Sequence, residues 1–397
     1  MSSTRDVPTI LTSTSGKVLQ EAPTGREPRY TATSQVQKRA FTLDQYTTAS
    51  GAHLGPVPIG YECYGHLNEA RDNAILVLHY FTGTSHAAGR YHPDDVEAGY
   101  WDALIGPGRA IDTDRFFVIG VDSLCNLNAR HPLVVSLTPA SLDPRTQRPY
   151  GADFPVIRIT DMVRVQRELL RHLGIERLHA VVGPSMGSMQ ALEWAAEFPD
   201  LVPRVFGAIG GGIATEAYLI AWLRQWCAPI LLDPKFKDGH YPPEDPPFDG
   251  LSAALELVTL TALSPEWAGR IFARQPADRK LPPEQKLENL FSIERALAGT
   301  ARARAELTDA NAFLRLAKAV QLYDLRDRVQ RIRAKVLWAT VASDLLILPE
   351  YSTRGVQDLR NAGVNVETVS LPTEGGHLDG LHFAGKFSDS LRGFLNS

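Results

Sequence analysis

Short apolar, β-branched runs alternate with amphipathic stretches along most of the chain. Pro56–Gly65, Ala74–Tyr80 (AILVLHY), Phe116–Asp122 (FFVIGVD) and Leu178–Pro184 (LHAVVGP) each read as a strand. Continuous apolar runs of this kind suit strands covered on both faces, as in a parallel sheet. Between the last two of them, Thr160–Gly174 carries Met162, Val163, Leu169, Leu170 and Leu173 as an apolar stripe at helical spacing, with Gly174 as a C-cap. Met189–Pro199 reads as a helix ended by its proline, and Val205–Gly211 as a further strand. From Ile213 to about Leu325 the pattern changes, and helical stretches alternate with Pro/Gly-rich loops such as DGHYPPEDPPFDG. Within it, Leu307–Leu325 is helical by period, with an N-cap at Thr308 or Asp309. Strands return at Ala334–Asp344 and Val364–Pro372, and Phe383–Leu395 reads as a final helix. The first 50 residues are polar and rich in Ser and Thr, with strands beginning near Tyr30 or Phe41.

Strand, helix, strand is the α/β signature. The chain therefore predicts an α/β core with a mostly parallel central sheet, interrupted by a helical insertion. The division is 1–212 for the first part of the core with an N-terminal arm, 213–325 for a helical lid domain, and 326–397 for the C-terminal part of the core. No internal repeat is evident.

Composition narrows the class. Of 397 residues, 44% are hydrophobic and 22% charged, as in an ordinary globular protein. The formal charge of -4, without a basic stripe or tail, argues against nucleic acid as a partner. No apolar run is long enough for a membrane span. The N-terminus lacks the basic segment and apolar core of a secretory signal. Cys63, Cys125 and Cys227 form no CxxC pair, and so low and odd a count points to a reducing, cytoplasmic setting. There is no HExxH, no Rossmann glycine fingerprint and no Walker loop, so the expected chemistry needs no cofactor and no metal.

The chemistry centres on GPSMG, residues 183–187, a G-x-S-x-G placed after a strand and before a helix. In that context Ser185 is the candidate nucleophile. The glycines allow a sharp turn, and the helix N-terminus supplies free N–H groups, of which that of Met186 is a natural oxyanion donor. A second donor should follow an early strand, and the backbone N–H of Phe81 stands there. A serine needs a base, and the base an orienting acid. Asp344 follows an apolar strand, and His377 lies in the glycine-rich loop TEGGHLDGLHF after the next one. That order, Ser then Asp then His, suits this architecture. Asp379 and His382 are neighbouring competitors on the helix side of the loop. His86, His92 and His131 are scattered among loops.

With these residues in view, the chain resembles the homoserine O-acetyltransferase family of α/β-hydrolase enzymes, from roughly Tyr61 to Leu395. The similarity is carried by residues 61–89, 148–175, 183–202, 309–325 and 343–349. The resemblance implies an α/β-hydrolase fold, a Ser185–Asp344–His377 triad, oxyanion amides at Phe81 and Met186, a helical lid and a homodimer formed through it.

Three positions depart from the family's pattern. An arginine that takes the acceptor's carboxylate is usual six residues before an Asp-Pro; counted from Asp233-Pro234, that place holds Cys227, with Arg224 three residues away. The aspartate usual after the catalytic histidine is Leu378 here, and Asp379 is shifted by one. A glycine-rich segment is replaced by NLNARHPLVVSLTPASLD, residues 126–143. A charged amino-acid acceptor would lose its paired contacts, whereas water or a simple alcohol needs none. Trp222, Trp226, Cys227 and Leu378 suggest a less polar substrate pocket. The sequence thus predicts a serine esterase for small-molecule short-chain esters such as ethyl acetate, with water or an alcohol as acyl acceptor. The alternative is an O-acetyltransferase that uses acetyl-CoA and homoserine or a related alcohol.

Overall fold

The structure is a computed structural model and describes residues 36–397. A strand starting near Tyr30 lies outside the described residues. The one near Phe41 is strand β1, Arg39–Leu43. The central sheet continues with β2 (Val57–Tyr64), β3 (Ala74–Leu78), β4 (Phe117–Val121), β5 (Ala180–Pro184), β6 (Arg204–Ala208), β7 (Lys335–Val341) and β8 (Val366–Leu371). Its order is β1-β2-β4-β3-β5-β6-β7-β8. The first two pairings, β1 with β2 and β2 with β4, are antiparallel, and every pairing from β4 to β8 is parallel. The predicted α/β class and mostly parallel sheet are therefore what the chain forms.

The ten α-helices of the described residues are α1 (Ile159–His172), α2 (Met186–Glu197), α3 (Ala217–Leu232), α4 (Phe248–Thr261), α5 (Pro265–Ile271), α6 (Ser292–Ala305), α7 (Ala310–Gln321), α8 (Pro349–Asn361), α9 (Asp379–His382) and α10 (Ser388–Asn396). Helices α3 to α7 are inserted between β6 and β7 as a lid-like region. Side chains alternate across the sheet. Leu76 and Leu78 of β3 enter one core, while Ile75 and Val77 enter the other. The first core runs without a break into the inserted helices through Leu219, Leu223, Trp226, Leu251, Leu255 and Phe313.

Local chemistry sets the helix ends. Gly174 follows α1 with φ +68°, the left-handed conformation expected of its C-cap region. Asp309 caps α7 by accepting from the Ala312 N–H at 2.8 Å, so Thr308 is not the cap. Helix α2 begins at Met186 rather than Met189, directly after the candidate nucleophile. The predicted final helix, Phe383–Leu395, is divided: a 3₁₀ turn at Ala384–Phe387 precedes α10. Among the described residues no helix is long and apolar enough to cross a membrane.

Candidate active site

Four chain segments deliver the site, and each begins where a parallel strand ends: Phe81 after β3, Ser185 after β5, Asp344 after β7 and His377 after β8. The carboxyl ends of parallel strands all point to one edge, so the sheet gathers residues distant in sequence.

Ser185 has φ 53° and ψ -120°, outside the usual regions for a side-chain-bearing residue. Its N–H is held by the Ala208 carbonyl at 2.8 Å, and its carbonyl accepts from the Ser188 hydroxyl at 2.6 Å. The flanking glycines are required by space. A Cβ on Gly187 would stand 2.2 Å from the Leu78 carbonyl oxygen, and one on Gly183 would stand 2.6 Å from the Gly187 backbone.

His377 Nε2 lies 2.9 Å from Ser185 Oγ, and His377 Nδ1 lies 2.6 Å from Asp344 Oδ2. The other oxygen of Asp344 accepts from the N–H groups of Leu346 and Ile347, each at 2.9 Å. His377 and Asp344 are both buried. The competitors stand elsewhere. Asp379 accepts from the Gly375 N–H at 2.7 Å. His382 lines the pocket, but burial lowers its pKa to about 4, with Asp379 acting the other way.

The Phe81 and Met186 N–H groups find no backbone acceptor among the described residues. Met186 is the first residue of α2, whose N-terminal amides have no partner within the helix. The Phe81 ring packs on Trp226 and Phe313, at 5.7 and 5.4 Å between ring centroids. The loop after it is tied down by a buried network. Glu62 accepts from Ser85 at 2.6 Å and Tyr91 at 2.5 Å, and lies 2.9 Å from His86 Nδ1. Lys38 lies 2.6 Å from Asp122.

A pocket of about 620 Å³ opens over Ser185 and His377. Of the residues the sequence nominated for its wall, Trp226 and Leu378 line it. Trp222 and Cys227 do not: Leu219, Leu223 and Trp226 form the pocket-facing stripe of α3, and Trp222 and Cys227 flank it on opposite sides. Arg224 is exposed on α3, away from the pocket wall. Burial pushes the Cys63 and Cys227 thiols up to about 11, and none of the three cysteines lines the pocket.

Sequence reasoning missed Tyr80, Glu97, Leu346, Ile347 and Arg304, which also line the pocket. For Arg304 a signal existed. It extends the stripe Leu297, Thr300, Ala301 of α6, whose members are buried, so an arginine occupies an inward-facing position. Glu97 lies in a loop with no period to read. Among the described residues no cluster of three or more His, Cys, Asp or Glu comes together as a metal site.

Comparison with known proteins gives the family. The family profile of the alpha/beta hydrolase fold matches residues 73–381. A homoserine O-acetyltransferase of Solidesulfovibrio magneticus is 39% identical over 364 residues, covering 88% of this chain and 90% of its own. The crystal structure of esterase E22 superposes with a TM-score of 0.86 at 41% identity, covering 91% of this chain and all of that one. Homoserine O-acetyltransferase from Bacillus anthracis superposes equally well, with a TM-score of 0.86 at 37% identity, covering 92% of this chain and 98% of its own. With an esterase and acetyltransferases alike matching nearly end to end, the chain belongs to the homoserine O-acetyltransferase family of α/β-hydrolase-fold enzymes, whose shared chemistry is that of esterases and acyltransferases.

Proposed function

We propose that the protein is a serine-dependent O-acyltransferase that moves a short acyl group from acetyl-CoA or an ester, by way of an acyl-Ser185 intermediate, to a hydroxyl acceptor of the homoserine class. The observation that carries the acyl-serine step is the hydrogen-bonded line from Ser185 through His377 to Asp344, at 2.9 and 2.6 Å. The transfer reading is supported by the acetyltransferases among its relatives.

In this mechanism His377 Nε2 takes the proton from Ser185 Oγ as Oγ attacks the acyl carbonyl. Asp344 holds Nδ1–H and so keeps Nε2 free to accept. The Phe81 and Met186 amides take the developing oxyanion. When the carbonyl re-forms, the C–S or C–O bond to the leaving group breaks, and His377 returns its proton to that group. His377 then deprotonates the acceptor hydroxyl, which attacks the acyl-serine; the bond from Oγ to the acyl carbon breaks, and His377 returns the proton to Oγ, restoring Ser185.

A second reading is hydrolysis of short-chain alkyl esters, with water in the acceptor's place. The placement of Leu378 in the pocket wall favours it, together with Asp379 turned onto a backbone N–H and Arg224 out on the surface of α3. These residues leave no clamp of the family's usual kind for an amino-acid acceptor. One assay tests both readings: acetyl-CoA with homoserine, following O-acetylhomoserine, beside ethyl acetate in water, following acetate, with Ser185→Ala as control. Transfer outrunning ester hydrolysis supports the first reading. Acetate release with little O-acetylhomoserine overturns it in favour of the second.

Residues 213–325 serve in this reading as a lid domain over a core formed, among the described residues, by 36–212 and 326–397. Tyr218, Ile220, Leu231 and Leu232 of α3 and Leu260 of α4 are exposed and fit a homodimer through the lid. Sedimentation at the mass of one chain would overturn the dimer.

A further inference from the structure

Six Arg, Asp, Glu or His side chains line the pocket over Ser185: Arg90, Glu97, Asp102, Arg304, His377 and His382. Asp102 is paired with Arg109 at 2.9 Å and accepts from the Gly89 N–H. Arg90 Nε donates to the Asp95 carbonyl at 3.0 Å. His377 belongs to the Ser185 line, and His382 is neutral by burial.

Arg304 is different. A guanidinium carries five N–H donors in a fixed fork. Among the described residues that of Arg304 makes one hydrogen bond, from Nη1 to Thr259 Oγ1, and at 3.4 Å it is at the limit of a real one. The Thr259 hydroxyl donates to the Leu255 carbonyl at 2.9 Å, so toward Arg304 it can only accept. No carboxylate among the described residues stands within ion-pair distance of Arg304. Burial lowers its pKa, and Tyr80 is the one titratable group that acts on it. The side chain nonetheless keeps some accessible surface and lines the pocket, so that surface faces the ligand space. A guanidinium does not give up its proton to escape burial. The fold therefore holds a permanent, unpaired cation in the wall of the pocket that opens over Ser185, an arrangement that an anionic ligand would complete.

We infer that Arg304 is the anion-binding residue of this pocket, and that the substrate carries a carboxylate or phosphate that its guanidinium takes up. The inference rests on the acyl-serine reading of Ser185.

The test compares wild type, Arg304→Lys and Arg304→Gln on matched pairs. In one arm the donor is p-nitrophenyl acetate and the acceptors are 4-hydroxybutyrate and 1-butanol. In the other the acceptor is 1-butanol and the donors are acetyl-CoA and S-acetylpantetheine, which lacks the CoA phosphates. The expected result is that Arg304→Gln lowers kcat/KM for the anionic member about 10- to 100-fold more than for its neutral twin in one arm. Arg304→Lys should restore part of the difference. Loss in the first arm identifies a carboxylate, loss in the second a phosphate. Equal losses for both members in both arms overturn the inference. Labelling of Ser185 by a neutral fluorophosphonate checks the acyl-serine reading separately. If wild type is not labelled, that reading fails. Arg304 is then judged by whether 4-hydroxybutyrate, and not 1-butanol, raises the melting temperature of wild type but not of Arg304→Lys or Arg304→Gln.

Discussion

Asp344 divides its two oxygens between His377 and the backbone: Oδ2 lies 2.6 Å from His377 Nδ1, while Oδ1 is fixed by two N–H groups at 2.9 Å. The backbone contacts aim the carboxylate, and the carboxylate selects the tautomer. An asparagine would keep the shape but could present its N–H₂ to Nδ1, turning the wrong nitrogen toward Ser185. Asp344→Asn should lower kcat by about 10³- to 10⁴-fold with the fold retained. A loss under tenfold would mean that Asp344 does not orient His377.

The nucleophile turn leaves no room for a methyl group. With 2.2 Å between a Cβ on Gly187 and the Leu78 carbonyl oxygen, either α2 or β3 has to move. Gly187→Ala should cost about 2–3 kcal/mol or more, read as a lower urea midpoint. Phosphonate labelling of Ser185 should slow in parallel, because the same shift displaces Oγ. A variant of wild-type stability would show that the turn yields more easily than this packing allows.

Glu62 ties the loop behind Phe81 to the sheet. Burial acts to raise its pKa, but His86 and Lys38 outweigh that and bring it down to about 2. A lowered folded-state pKa stabilises the protein above the unfolded value near 4.5, and this contribution is lost as pH falls through about 2. Glu62→Gln should cost about 3–5 kcal/mol at neutral pH, as breaking a buried pair does. The gap to wild type should close as pH falls below 4.5. Denaturant titrations across that range decide it, and a gap that does not change with pH would contradict the assignment.

Glu97 titrates in the opposite sense. Burial raises its pKa to about 7. Between the unfolded value of 4.5 and 7 the unfolded chain releases this proton while the folded chain keeps it, so folding becomes less favourable as pH rises. Glu97→Gln should therefore gain in melting temperature relative to wild type from pH 4 to pH 8. A difference independent of pH would show that the carboxyl is solvated.

The strands and the Ser185 turn were legible in the sequence because their signals are local: apolar runs of strand length, and glycines where no Cβ fits. The order Ser185, Asp344, His377 was legible because each follows a strand, and parallel strands end on one edge. Arg304 and Glu97 were not read. A guanidinium's pairing is decided by which helix faces it, and α4 and α6 meet only in the folded chain. Trp222 and Cys227 show the reverse error. They share α3 with Trp226, but the direction of each side chain about the helix axis, rather than closeness in sequence, decides which one meets the pocket.

The loop that carries His377 is fastened to the inserted helices. Gly376 has no space for a Cβ against the backbone of Leu263 and Ser264, Leu378 N–H donates to the Ala262 carbonyl, and the Ser264 hydroxyl donates to the carbonyl of Glu374. A cover that swung outward would carry the imidazole with it and part it from Ser185. In the proposed reaction this coupling would make the entrance a fixed aperture rather than a door: molecules would be sorted by what fits through while Ser185 and His377 stay together.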